Sequence, residues 1–263
     1  MSLRSFAVLK KRLIGVITVK DGLAVQSNGY KRYLPLGTPE ILAENLDRWG
    51  ADEILLQCID RSTKKLGPEF ALLERVGKMG LGTPLIYGGG IRTVDEGIQA
   101  IKLGADRICV DALLRDTPDV VGELSRKLGA QALIASLPLS IEKGALHLLD
   151  YRLRESKPLD DMTLRLLQDQ VVSELLVIDW KNEGKSLGFD LQLLAQFPLL
   201  NIPIIAFGGL SEATQLRYVL GLSQVVAVAV GNFLNYREHA ISHLKEQLVG
   251  LPLRMPTSKL VST

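Results

Sequence analysis

The stretch Pro84-Leu-Ile-Tyr-Gly-Gly-Gly-Ile91 has a near repeat later in the chain, Pro203-Ile-Ile-Ala-Phe-Gly-Gly-Leu210. In both stretches a short apolar strand ends in glycines, and a polar helical segment and a further apolar strand follow. Glycine lets backbone N–H groups approach an anion with no side chain in the way. Two such units about 120 residues apart predict a duplicated fold that holds a molecule with a phosphate at each end.

Short apolar segments alternate with amphipathic helical patterns along the whole chain. Most are rich in Val, Ile and Leu without alternation, which is typical of parallel strands buried on both faces. Eight such strands separated by helices predict an α/β fold, a single (β/α)8 TIM barrel with an internal half-barrel repeat. An open doubly wound sheet is the alternative, and the doubling argues against its asymmetric strand order. The predicted strands are 13–19, 53–59, 84–87, 107–110, 132–137, 175–179, 203–207 and 225–230.

The chain is predicted to be one domain, because no Pro/Gly/Ser-rich linker divides the two halves. We expect residues 1–263 to form one barrel with a core over about 11–249, and 250–263 to be a loosely held tail. Residues 139–141 and 146–149 flank Glu142-Lys143-Gly144 and predict a small inserted β-hairpin. Helix N-caps are predicted at Thr38, Thr93, Thr117 and Ser211.

Composition excludes several classes of protein. Of the 263 residues 47% are hydrophobic and 23% charged, and the net charge is only +2, which does not favour nucleic-acid binding. No apolar run reaches the roughly 18 residues of a membrane span, and the first residues do not resemble a signal peptide, so we expect a cytoplasmic protein. Cys58 and Cys109 lie in apolar runs and are predicted to be reduced core thiols. We expect neither a cofactor nor a metal.

The doubled arrangement resembles the cyclase subunit of imidazole glycerol phosphate synthase, over about residues 11–249. The individual motifs are short, and their order and spacing make the resemblance specific. They are Arg12-Leu-Ile, Val19-Lys-Asp-Gly22, Asp52-Glu53, Tyr87-Gly-Gly-Gly-Ile91, Gly104-Ala-Asp106, Gly184, Gly188-Phe-Asp190 and Pro203-Ile-Ile-Ala-Phe-Gly-Gly209. The resemblance implies a barrel with two working faces. The C-terminal face binds the ribonucleotide and cyclises it, while the N-terminal face docks a glutaminase whose ammonia crosses the barrel.

The chemical face departs from that family. Its cyclisation resembles general acid–base catalysis by two aspartates, which align with Thr18 on the first strand and Pro138 on the fifth. Threonine does not exchange a proton near neutral pH, and proline has no side-chain proton at all. We therefore assign no catalytic residue. The related isomerase of the same pathway is disfavoured, because it also needs the aspartate that is replaced at Thr18.

Two phosphate sites are implied by the resemblance. The first-half site would use Gly89 and Gly90, but the hydroxyl residue expected there is Ala112, and Asp111 beside it would repel a phosphate. We expect the second-half site to be better preserved. Tight strand-to-helix turns would explain both clusters without any ligand. The second-half site would use the backbone of Gly208, Gly209, Gly231 and Asn232.

The opposite face keeps the family pattern. The resemblance implies a ring of four alternating charges that gates ammonia, and these positions are Arg12, Glu53, Arg107 and Glu174. Asp106 matches a position that contacts the glutaminase. Alternating charges satisfy one another, and a purely structural plug would retain them for the same reason.

Three hypotheses follow. The first is a diverged cyclase-subunit homologue that binds a phosphorylated small molecule, docks a glutaminase and conducts ammonia, similar to paralogues in nitrogen-bearing surface-sugar biosynthesis. The second is a genuine histidine-pathway lyase with substituted acid–base groups. Asp60, Asp179, Lys181 and Glu183 are candidates for such groups, although charged loop residues are most often solvated. The third is a non-enzymatic scaffold or regulatory barrel.

Overall fold

A computed structural model describes residues 10–169, 171–198 and 201–254. Eight parallel strands close into a barrel in chain order, and the last of them pairs with the first. All eight predicted strands are therefore confirmed. The strands are β1 (Arg12–Lys20), β2 (Leu23–Asn28), β3 (Arg32–Gly37), β4 (Glu53–Cys58), β5 (Leu85–Gly88), β6 (Arg107–Val110), β7 (Leu133–Glu142), β8 (Ala145–Asp150), β9 (Glu155–Pro158), β10 (Glu174–Asp179), β11 (Ile204–Phe207) and β12 (Val225–Val230).

Amphipathic helices cover the outside of the barrel and bury their apolar sides against the strands. No helix in the described ranges combines the length and apolar character that crossing a bilayer requires. The helices are α1 (Pro39–Arg48), α2 (Phe70–Gly77), α3 (Val94–Lys102), α4 (Ala112–Asp116), α5 (Pro118–Leu128), α6 (Asp161–Gln168), α7 (Gln192–Ala195), α8 (Ala213–Gly221) and α9 (Ala240–Gln247).

The predicted caps are only partly right. Thr93 forms a capping box with Glu96 at the start of α3. Thr38 and Thr117 occupy cap positions, and a proline follows each, but neither side chain makes a capping hydrogen bond. The hydroxyl of Ser211 instead accepts a hydrogen bond from the backbone N–H of Leu187, at 3.0 Å, and therefore holds a loop.

The barrel interior is a stack of inward-facing side chains. On β1 the inward positions alternate, beginning with Arg12 at the N-terminal end and continuing through Ile14 and Val16 to Thr18. The middle layers form an apolar cluster separate from the core between sheet and helices. Its buried members are Ile14, Val16, Leu55, Ile86, Cys109, Ile134, Leu176, Ile178, Ile205, Phe207, Ala227 and Ala229.

The half-barrel repeat is visible in one packing detail. Gly89 has φ +137° and Gly208 has φ +103°, and a methyl group on either would collide with the carbonyl oxygen of the preceding barrel strand. These oxygens belong to Cys58 at the end of β4 and Asp179 at the end of β10. Both glycines are therefore required by close backbone approach, whether or not a ligand binds.

Two hairpins rise from the C-terminal rim. The inserted hairpin is confirmed: β7 continues past the barrel and pairs with β8, which in turn pairs with β9. The segment after β1, where no strand was predicted, is a second hairpin in which β2 pairs with β3. Asn28 pairs with Arg32, so the turn consists of Gly29, Tyr30 and Lys31, of which Gly29 and Tyr30 have positive φ.

The start and the end of the described chain meet at the N-terminal face. The backbone N–H of Lys11 donates to the carbonyl oxygen of Pro252 at 2.7 Å, and Lys11 bridges to Leu253. Leu253 is buried. The expected tail is thus attached to β1 as far as residue 253, and residues 255–263 lie outside the described ranges.

Candidate functional site

A cavity of about 300 Å³ opens at the C-terminal ends of the first-half strands. Gly88, Gly89 and Gly90 form part of its wall, and the inward-facing residues Gln57 and Asp111 lie beside them. Its deepest lining residues, Leu55, Cys109 and Ile178, also belong to the apolar cluster of the interior. The cavity is therefore the upper end of the barrel interior.

Basic side chains line this cavity from both hairpins and from the nearby loops. Lys20 lies over the ring of Tyr33, with Nζ 5.3 Å from the ring centroid. Lys64 forms ion pairs with Asp60 and Asp21. The guanidinium of Arg152 forms ion pairs with Asp150 and Asp116. The two remaining cations, Lys31 and Arg154, are exposed and make no ion pair within the described chain.

The positions of the family's two catalytic aspartates lie at the barrel rim. Thr18 is buried on β1 beside Gln57 of β4. Pro138 lines the cavity from β7 and is paired in register with Ile178. Neither position supplies a group that titrates near neutral pH. Paired-carboxylate catalysis is therefore missing from these two positions.

Asp111 follows β6 and brings a carboxylate into the cavity. Burial raises its pKa to about 6, against the opposing effect of Arg115. Oδ1 of Asp111 lies 2.9 Å from Nη2 of Arg115, yet this contact lacks the angle of a hydrogen bond. Oδ1 is buried against Arg115, so the 16% of the side chain that stays exposed belongs to its other atoms, and Asp111 lines the cavity through these.

The second-half glycine cluster is packed against the chain's own loop. A methyl group on Gly209 would lie 2.9 Å from the carbonyl oxygen of Asn182, and one on Gly184 would lie 2.8 Å from Nδ2 of Asn232. The Asn232 side chain donates to the carbonyl oxygen of Ser27 and accepts from the Ser27 N–H, at 3.1 Å. A methyl group on Gly231 would lie 3.6 Å from the nearest atom of the Phe207 ring. The open cavity thus adjoins the first-half glycines, and preferential phosphate binding at the second half stays a prediction.

The acidic loop residues that were alternative acid–base candidates have structural contacts. Asp179 is 2% exposed and accepts hydrogen bonds from Asn182 and from the backbone of Asp190. Glu183 is 3% exposed and accepts from the Ser27 hydroxyl at 3.0 Å. Burial raises the pKa of both carboxyls. These two groups fix the loop and the first hairpin and are not solvated.

At the opposite end of the barrel, four predicted gate residues form a closed ring. Arg12 lies 2.9 Å from Glu53 and 2.5 Å from Glu174, and Arg107 lies 3.4 Å from Glu53 and 2.7 Å from Glu174. Each side chain is at most 14% exposed. Burial raises the pKa of Glu53, while Arg12 and Arg107 oppose the shift. The ring covers the floor of the apolar interior.

Asp106 lies beside this ring and is exposed. Its Oδ2 accepts a hydrogen bond from the backbone N–H of Leu85 at 2.8 Å, so the carboxylate also anchors the start of β5. Its second oxygen has no hydrogen bond from the described residues and is available at the N-terminal face.

Several cavity residues were missed by sequence reasoning. Tyr30 and Tyr151 line the cavity from the two hairpins, and Arg154 reaches it from the turn after β8. The residues that flank these three in the sequence form no motif that would indicate a binding site. Only the return of the inserted segment over the barrel mouth brings them together, although the Asn28-Gly29 turn would have located the first hairpin.

Comparison with known proteins agrees with this architecture. The family model described as "Histidine biosynthesis protein" matches residues 12–240. The chain is 29% identical over 252 residues to "Imidazole glycerol phosphate synthase subunit HisF" of Thermococcus gammatolerans, covering 94% of this chain and 99% of the relative. The same-named proteins of Exiguobacterium and Pyrococcus furiosus are each 28% identical, covering 96% and 94% of this chain and all of each relative. With the barrel, its repeated glycines and its charged floor, this match shows that the chain belongs to the histidine biosynthesis protein family, as a distant homologue of HisF cyclase subunits.

Proposed function

We propose that this protein is a diverged cyclase-subunit homologue that receives ammonia from a glutaminase at its N-terminal face and delivers it to a ligand in the C-terminal cavity. The observation that carries this proposal is the ring of Arg12, Glu53, Arg107 and Glu174, in which every member pairs with two others. Buried charges are costly unless paired, and a ring of paired charges across the floor of the barrel is what a gate for ammonia would need.

The interior above the ring suits a small neutral molecule. Inward-facing positions on β6 run from Arg107 in the ring through Cys109 in the apolar cluster to Asp111 in the cavity. Apolar side chains separate the two charged ends, and such a lining disfavours ions far more than it disfavours ammonia. One strand therefore connects the floor with the cavity.

The chemical step differs from cyclisation in this proposal. Thr18 and Pro138 supply no acid or base, whereas the cavity above them is open and rich in basic groups. A family member that retains the floor but lacks the cyclase pair fits ammonia delivery to another acceptor. The genuine histidine-pathway lyase remains the second candidate, because Asp111 provides one titratable group at the same rim.

The decisive experiment separates these candidates. The purified chain is supplied with an ammonium salt and the ribonucleotide substrate of imidazole glycerol phosphate synthase, and the Thermococcus gammatolerans relative serves as the positive control. We expect no turnover by this chain. Turnover would reject the diverged role and establish the lyase.

Partner binding is tested in parallel with the host's purified glutaminases, by titration calorimetry and by the glutaminase rate. We expect one of them to bind, and Asp106→Lys to weaken binding about tenfold or more because it places a cation at the docking face. Glu53→Ala should leave binding intact while it disturbs ammonia transfer through the floor. Glu123→Gln, on the outer surface of α5, is the control. If no glutaminase binds, the scaffold hypothesis is favoured.

A further inference from the structure

The floor and the mouth of the cavity carry different charges, and the family resemblance does not predict this difference. The floor carries Asp111 beside the neutral hydrogen-bonding groups of Gln57 and Ser136, whereas the mouth carries the unpaired cations Lys31 and Arg154. A ligand with two equivalent phosphates would have to place one of them near a carboxylate. The two ends of this cavity therefore favour different chemical groups.

The floor disfavours a phosphate for two reasons. Asp111 is followed by Ala112, so no side-chain hydroxyl faces the glycines from the start of α4. The carboxylate also repels an anion whenever it is ionised. The charged and titratable groups near Asp111 include both signs. They are Arg115, Asp150, Arg152, Tyr30, Tyr151 and Cys109. Arg115, 2.9 Å from Asp111, offsets only part of the carboxylate charge, because it also faces Asp150 at 3.9 Å.

The same floor suits hydroxyl groups. A carboxylate accepts hydrogen bonds from hydroxyls, and the Asp111 side chain lines the cavity and is 16% exposed there. The amide of Gln57 and the hydroxyl of Ser136 add donors and acceptors without net charge. Tyr30 and Tyr151 supply aromatic surface beside them. This combination fits a polyhydroxylated carbon chain or ring.

The mouth supplies the charge. Lys31 belongs to the turn between β2 and β3, and Arg154 belongs to the turn between β8 and β9. Both side chains line the same cavity, so an anion bound at its mouth can face the two of them. Because both side chains are exposed and unpaired, an anionic group between them would lose little hydration and gain two partners.

We infer that this cavity binds a polyhydroxylated ligand with a single anionic group, such as a sugar monophosphate, with its hydroxyls against Asp111 and its anion between Lys31 and Arg154. This inference rests on the proposed function only in placing the acceptor in this cavity. It requires neither a glutaminase nor ammonia transfer.

The test compares two probes that differ by one phosphate, ribulose 5-phosphate and ribulose 1,5-bisphosphate, by isothermal titration calorimetry near pH 8. Wild type should prefer the monophosphate. Asp111→Asn should weaken monophosphate binding about fivefold or more and tighten bisphosphate binding by a similar factor, because the repulsive charge is removed. Lys31→Gln with Arg154→Gln should weaken both about tenfold. Glu123→Gln removes one carboxylate from the outer surface and should change neither.

The opposite shifts of the two probes make the test specific, since a variant that merely disturbs the fold would weaken both. Thermal unfolding of each variant checks the fold independently. Tighter binding of the bisphosphate by wild type, or equal affinities in wild type and Asp111→Asn, would overturn the inference. If the double substitution Lys31→Gln with Arg154→Gln left both affinities unchanged, the ligand would bind elsewhere, and the inference would be overturned too. None of these results bears on glutaminase binding, so the two proposals fail separately.

Discussion

Lys245 on α9 forms an ion pair with Asp52 just before β4, with 2.8 Å between Nζ and Oδ1 and 4% exposure of each side chain. The other oxygen of Asp52 accepts a hydrogen bond from the backbone N–H of Leu13 at 2.7 Å. One carboxylate thus joins the last helix to the first two barrel strands. Because Asp52 precedes Glu53, this pair also fixes the floor ring in place.

The variant Lys245→Met should be strongly destabilised. It leaves the Asp52 carboxylate buried without its cation, and breaking one side of a buried pair costs about 3–5 kcal/mol of unfolding free energy. Urea denaturation measures this loss. The control is Lys78→Met, whose partner Glu74 is 46% exposed, and its effect should stay within about 0.5 kcal/mol. Equal effects of the two variants would show that the Asp52 contact does not stabilise the fold.

The carboxyl of Asp111 should make the protein less stable as pH rises. Its folded pKa of about 6 lies above the ordinary 3.8, so the folded state binds the proton more tightly than the unfolded state does. Stability from this group is present below about pH 4 and is lost by about pH 6, a difference of about 3 kcal/mol. Asp111→Asn should match wild type near pH 4 and exceed it near pH 7 in urea denaturation. A constant difference across this range would contradict the assignment.

Two threonines that precede helices should respond differently to the same substitution. Thr93→Ala removes a capping box at α3 and should cost about 1 kcal/mol in thermal or urea unfolding. Thr117→Ala serves as the matched control, because the Thr117 side chain makes no capping hydrogen bond at α5. If the control loses as much stability as Thr93→Ala, the capping box contributes nothing of its own.

Both cysteines should resist thiol reagents in the folded protein. Burial raises the pKa of Cys58 and of Cys109 to about 12, so the reactive thiolate is scarce near pH 8. Ellman's reagent should react slowly with the native chain and rapidly with the chain in urea. If Cys109, which lines the cavity, reacted rapidly in the folded protein, its thiol would be more accessible than its burial indicates.

The barrel strands could be predicted because parallel strands buried on both faces leave continuous apolar runs. The duplication could also be predicted from the sequence, because Gly89 and Gly208 each approach the backbone of the preceding barrel strand too closely for a side chain. The floor ring was located through the family resemblance, and alternating charges at strand starts then had to be paired once buried. These features depend on local sequence or on one repeated packing constraint.

The cavity was harder to predict because its parts are distant in sequence. Arg154 and Tyr151 reach it only through the path of β8 and β9, and no local pattern records that path. The first hairpin was not among the predicted strands, although Asn28-Gly29 signals a turn. The buried hydrogen bond between Glu183 and Ser27 could not be predicted either, because Ser27 lies in that hairpin.

The hydrogen bond from Lys11 to Pro252 has a practical consequence for anyone who prepares this protein. Both points at which the described chain meets its flanking residues emerge at the face where we propose that the glutaminase docks. A fluorescent protein fused directly before Lys10 or directly after Arg254 would crowd that face and mimic a loss of partner binding. The exposed Lys143-Gly144 turn of the inserted hairpin, at the far end of the barrel, is the better attachment point.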